Sequence, residues 1–123
     1  MRINKTEIPV VMDVPGATAR QLPFGGELAA EYFSLGAGTD IKPLLQGLAG
    51  DLCDAAHWGY MLAGELVVTY ADDSIDRCTT GDCFYWPPGH SVRVEQDAEV
   101  ILFSPHAAHA AVIDHMKAKL AAI

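Results

Sequence analysis

The sequence predicts an all-β domain, an antiparallel sandwich or small barrel, carrying one α-helix at its C-terminus. Three observations carry that prediction. Between residues 57 and 105, short β-type runs follow one another at close spacing, each ended by turn chemistry. Aromatic and β-branched residues concentrate in those runs, as a half-buried pleated surface favours. A helical stripe emerges only in the last segment, where Val112, Ile113, Met116 and Leu120 fall on one face.

Taken in order, residues 1 to about 23 are punctuated by Pro9, Pro15, Gly16 and Pro23, which predicts an extended N-terminal arm or an edge strand. Gly25-Gly26 predicts a turn, followed by a strand to about Leu35 and a glycine-rich turn from Gly36 to Asp40. IKPLLQGLAGD is apolar but broken by Pro43, Gly47 and Gly50, which suits a short strand and loop better than a helix. After His57 come YMLAGELVVTY, stopped by Asp72-Asp73-Ser74, then IDRCTT, stopped by Gly81-Asp82, and CFYW, stopped by Pro87-Pro88-Gly89. SVRVEQ alternates with period two, and EVILFS ends at Pro105. Ser104 is placed to cap the final helix with Pro105 at its first position, and Lys117 and Lys119 sit where the helix dipole favours cations. The expected organisation is an arm over 1–23, a β-barrel over 24–105 and a helix over 106–123 packed on its outside, all within one domain. A chain of 123 residues is long enough to bury one core without staples.

Composition narrows the function classes. Half the residues are apolar and a fifth are charged, the profile of a folded globular chain. The net charge of -8 argues against a nucleic-acid partner, which would need a basic face. The opening segment has no long apolar core, and no stretch approaches the roughly 20 apolar residues of a membrane span, so neither export nor a membrane is expected. Three cysteines, Cys53, Cys78 and Cys83, make an odd count, and reduced thiols in a cytoplasm are the expectation. Cys78 and Cys83 flank a turn, and nothing requires them to pair.

The chemistry-bearing stretch is CDAAHWGYMLAGE, residues 53 to 65, with Cys53 and His57 four positions apart. Residues so spaced share a face in a helix or a strand. Gly59 and Gly64, with Trp58 and Tyr60 between them, favour the strand. Each residue also has a plainer reading. Cys53 suits a buried hydrophobe, His57 a core histidine bonded to a carbonyl, and His90 and Asp51 ordinary turn positions. His106 and His109 read as a solvated helix face. Trp58, Tyr60, Tyr85 and Trp86 read as mostly core, with one or two at a barrel mouth.

Two spacings resemble the cupin superfamily, small β-barrels with the motifs G-x5-H-x-H-x3/4-E-x6-G and G-x5-P-x-G-x2-H-x3-N. Gly81, Pro87 and Gly89 match the skeleton of the second. Gly64 anchors the first, which puts His57 at the family's glutamate position, Cys53 at its second histidine and Asp51 at its first. The second motif's histidine falls at Val92 and its asparagine at Gln96. The actual histidine, His90, lies two residues earlier, on the same strand face and about 7 Å along it. The resemblance covers roughly residues 25 to 105. It implies a jelly-roll-like barrel, a homodimer, and a divalent metal held by Cys53, His57 and His90 with Asp51 as a fourth ligand. Such a sulfur and nitrogen set suits zinc first, with iron, nickel or manganese behind it. The barrel interior is expected to take a small, mostly apolar or carboxylate-bearing molecule. Three readings stay open: a metal-dependent enzyme, a noncatalytic binding or sensing barrel, and a metal-free barrel. For the first, Glu31, Tyr32 and Tyr85 are candidate acids or bases, and no sequence feature chooses among them.

Overall fold

The structure, a computed structural model, describes residues 1–122. Seven strands and one helix follow in the order β1 (Val10–Val14), β2 (Ala17–Pro23), β3 (Leu28–Leu35), β4 (His57–Tyr70), β5 (Ile75–Thr79), β6 (Cys83–Trp86), β7 (His90–Pro105) and α1 (His106–Ala121). The strands pair antiparallel in the order β1-β2-β3-β7-β4-β5, with β6 on the first part of β4. Most of the expected arm, from Val10 to Pro23, is therefore part of the sheet, β1 at its edge and β2 inside it. SVRVEQ and EVILFS are one continuous strand, because the residues between them keep hydrogen bonding to β4 through a bulged stretch.

The sheet curls into a barrel that is not strictly closed. At its bend, the β4–β7 register shifts between Met61 and Leu66. Gly64 sits there with a positive φ, and a Cβ at that position would meet the Asp97 carbonyl oxygen at 2.1 Å. Only glycine allows the two backbones to approach so closely. The segment between β3 and β4 lies along the free edge of the first part of β7. Ile41 N–H donates to the Val92 carbonyl at 3.1 Å and Cys53 N–H to the His90 carbonyl at 2.8 Å. That segment forms short 3-10 turns at Lys42–Leu45 and Ala49–Asp51 in place of the expected strand, since Pro43 and Gly50 suit tight turns.

Alternation places the core. Along β4, His57 and Met61 point inward, while Trp58, Tyr60 and Leu62 are exposed. Of the four aromatic residues expected in the core, Trp86 alone is buried; Trp58 (47 %) and Tyr85 (50 %) stack on the outer surface with ring centroids 5.1 Å apart. A strand cannot turn His57 and Trp58 to the same side. Cys78 is buried, Cys83 is exposed, and all three cysteines are free.

α1 buries Val112, Ile113 and Met116 against Met12, Ala19 and Leu45, and its buried His109 stacks on Phe33. It forms one wall of the interior and does not simply lie on the barrel's outside. Pro105 is its N-cap, without a side-chain cap, because the Ser104 hydroxyl is engaged inside the barrel.

Candidate functional site

One end of the barrel interior is polar. On β2, β3, β7 and β4 the inward positions there are Gln21, Glu31, Ser104 and His57, all buried. The register explains the grouping: Gln21 lies opposite Glu31, and Ser104 lies opposite Ala29, one inward position from Glu31. Trp58 lies opposite Phe103, which brings the adjacent His57 and Ser104 together on the inner face. His109, from the first turns of α1, closes the group from above.

These side chains satisfy one another. Gln21 Nε2 donates to Glu31 Oε2 at 2.7 Å, the Ser104 hydroxyl donates to Glu31 Oε1, and His109 Nδ1 bonds to Glu31 Oε2. His57 Nδ1 lies 2.6 Å from Ser104 Oγ. On its other side, His57 Nε2 faces Cys53 Sγ at 3.6 Å. Ligand atoms of Cys53, His57 and His109 all lie within 4.8 Å of one another, and all three residues are buried. Their spacing leaves room for a single ion to be shared among them.

Of the residues singled out in the sequence, Cys53 and His57 are thus brought together. His90 is adjacent: its ring centroid is 5.1 Å from that of His57, and its Nδ1 donates to the Pro87 carbonyl at 2.8 Å, leaving Nε2 free. Its ligand atoms are not among those that converge most tightly. Asp51 is not brought to the group. It is exposed, and its carboxylate accepts the Gly47 N–H, just before its 3-10 turn, at 2.9 Å. His109 takes the third place, although its sequence position read as a solvated helix face. The signal was present, because His109 precedes Val112, Ile113 and Met116 by three, four and seven residues, the spacing of one helical stripe.

Burial sets the electrostatics. Desolvation pushes the Cys53 thiol up to about 12, with a backbone hydrogen bond at Ala55 opposing and the charges of Asp54 and Glu31 adding to it. Burial and the neighbouring His109 and His90 hold His57 well below the ordinary imidazole range. His90 is also lowered, chiefly by burial. His57 and His90 are therefore neutral imidazoles near pH 7, the form that ligates a metal.

The group opens on a cavity of about 60 Å³. Apart from Cys53, His57, His90 and His109 its walls are apolar or aromatic, including Phe33, Leu66, Trp86, Val100 and Met116, and no lysine, arginine, aspartate or glutamate lines it.

Comparison with solved structures finds this architecture repeatedly. A deletion mutant of oxalate decarboxylase from Bacillus subtilis is 26 % identical, covering 84 % of this chain and 28 % of that one, with a TM-score of 0.63. An RmlC-like cupin from Shewanella frigidimarina is 21 % identical, covering 84 % of this chain and 88 % of the other, with a TM-score of 0.60. Ectoine synthase from P. lautus is 14 % identical, covering 85 % and 77 %, with a TM-score of 0.61. The chain spans only about 28 % of the oxalate decarboxylase it matches. No protein-family model matches, and a search of curated proteins finds no match. The fold defines a class, and the chain has the fold of a small cupin domain.

Proposed function

We propose that this protein is a cupin-fold metalloprotein that binds, and acts on, a small and mostly apolar molecule inside its barrel. The observation that carries the reading is the convergence of Cys53, His57 and His109 on the wall of the apolar cavity. The donor set fits a metal. A thiolate with two imidazoles suits zinc best, and iron, nickel or manganese less well. His57 and His109 each have Nδ1 engaged, as metal-ligating histidines almost always do, leaving Nε2 as the ligand atom. A cation also accounts for a cysteine buried where its anion is otherwise disfavoured. His90 is the adjacent candidate for a fourth place. Cys53, His57 and His109 would hold the metal, which in such a site polarises a bound oxygen or carbonyl or lowers the pKa of a water.

The cavity sets the ligand class. By volume it holds roughly four or five water-sized groups. A charged carboxylate would find no lysine or arginine there and would depend on the metal alone, so an uncharged molecule with one donor atom fits best. The relatives act as printed in their names, on oxalate or in ectoine synthesis, and this chain's cavity is drier than either substrate suggests. The net charge of -8 supports a small-molecule partner over nucleic acid. The aromatic outer face of β4 and β6 supports a homodimer, and three unpaired cysteines support a cytoplasmic setting. No helix among the described residues is long and apolar enough to cross a membrane.

Elemental analysis of protein purified without chelator tests the reading. We expect about one metal per chain in the wild type, lost in Cys53→Ala, His57→Ala and His109→Ala and weakened in His90→Ala. Wild-type protein that takes up no zinc, iron, nickel or manganese even when each is added overturns it. A noncatalytic role is favoured by one feature: apart from the four cysteine and histidine side chains, the cavity wall offers no acid or base. Retention of a small alcohol or thiol without turnover would select that variant.

A further inference from the structure

We propose that Glu31 is the positioning residue of the centre, holding His109 directly and His57 through Ser104, so that both imidazoles carry their hydrogen on Nδ1 and present Nε2. The inference rests on the metal reading for its purpose, though not for its geometry. Glu31 is fully buried, and everything bonded to it is buried too. Its two oxygens accept from three side chains on three different elements: Gln21 on β2, Ser104 on β7 and His109 on α1.

Proton counting fixes the direction of the chain. A serine hydroxyl has one hydrogen and can also accept. The hydrogen of Ser104 is given to Glu31 Oε1. Toward His57 Nδ1, at 2.6 Å, Ser104 Oγ has only a lone pair left, so the ring nitrogen is the donor. With the ring's hydrogen on Nδ1, the bare nitrogen of the imidazole is Nε2, and that atom faces Cys53 Sγ. At His109 the same carboxylate takes Nδ1–H through its other oxygen. One buried acid therefore orients two rings that come from different elements, a strand and a helix. Without it, each imidazole is free to place its hydrogen on either nitrogen and to rotate.

A purely structural role would make Glu31 matter for stability alone. A positioning role moves two further observables, the histidine tautomers and the metal affinity. The first measurement is nitrogen-15 NMR of the imidazoles in the metal-free full chain, which needs no variant. His57 is expected with hydrogen on Nδ1 and none on Nε2, and His109 with hydrogen on Nδ1. In Ser104→Ala, His57 is expected to lose that preference while His109 keeps it, and zinc affinity, read by competition with a chromogenic chelator, should fall about 10- to 100-fold. Ser104→Thr, which keeps the hydroxyl, should restore both. Glu31→Gln should disturb both rings.

Wild-type His57 carrying its hydrogen on Nε2 overturns the proposal, as does Ser104→Ala with unchanged tautomer and unchanged zinc affinity. Wild-type protein with the expected tautomers but no uptake of zinc supports the relay and overturns the metal reading. Should Glu31→Gln fail to fold, the wild-type tautomers and the two Ser104 variants still decide the question.

Discussion

The two ends of the barrel interior are built on opposite principles. Around Leu66, Val68, Val94 and Val100 the interior is apolar, and its cohesion comes from area removed from water. Around Glu31 the inward positions of β4 and β7 carry His57 and Ser104, β2 adds Gln21, and cohesion depends on every polar atom having a partner. The apolar end tolerates exchange of one hydrophobe for another of similar volume, because no single contact is obligatory. The polar end does not, since removing one partner strands the others in a medium that cannot solvate them. A fold that needed only a core would not concentrate its buried polar groups at one end. The difference marks where this barrel departs from pure stability.

The largest expected effect breaks the polar end. Glu31→Ala leaves Gln21, Ser104 and His109 without their acceptor, and three orphaned groups at roughly 1–3 kcal/mol each should cost about 4 kcal/mol or more, a large share of a small domain's stability. Urea denaturation reads this directly, and a loss under 1 kcal/mol would mean that the network is loose in solution. At the apolar end, Leu66→Ala should cost about 3 kcal/mol through lost burial and the residual cavity. A cycle sharpens the contrast. Ser104→Ala with His57→Ala should be non-additive by about 1 kcal/mol, while Ser104→Ala with Leu66→Ala should add to within about 0.5 kcal/mol. Equal coupling in the two cycles would erase the distinction between the ends.

Added zinc separates the ends in another way. At a free concentration 100 times its dissociation constant, a ligand bound only by the native state stabilises it by about 2.7 kcal/mol. Wild-type protein and Leu66→Ala should both gain that increment in a thermal melt, whereas Cys53→Ala should gain none. A gain of equal size in Cys53→Ala would place the binding elsewhere.

Much of this was legible in the sequence, and the failures share one physical origin. Period-two runs and turn residues predicted the strands because local chemistry dictates them. The spacing of Cys53 and His57 left their meeting open, since residues four apart on one strand would lie about 13 Å apart; Cys53 instead precedes β4 and bridges to His90, which brings its sulfur against the His57 ring. The polar end was harder to read, since Gln21, Glu31, Ser104 and His109 are 10, 73 and 5 positions apart along the chain and meet only through the register of β2, β3 and β7 and the docking of α1. Along β3 no alternation marked Glu31 as interior, because Ala29 to Tyr32 are buried on both faces without a break. Ser104 misled because its position also suits a helix cap, and a buried acid outcompeted the helix end for its hydroxyl.

The smallest expected effect lies on the outer face of β4, one residue from the centre. Trp58 stacks on Tyr85, with Tyr60 and Leu62 exposed along the same strand. Trp58→Ser removes a large aromatic side chain that is already half in water, so monomer stability should change by no more than about 1 kcal/mol. Its neighbour His57 faces the interior, and the zinc increment should survive the substitution. What should change is self-association, because a row of exposed aromatic residues on a sheet is a surface that a second copy can cover. Sedimentation of wild type and Trp58→Ser at matched concentration reads this. A dimer that weakens while zinc binding persists assigns the two faces of one strand to two separate tasks, and a loss of zinc binding would show that the outer face supports the centre after all.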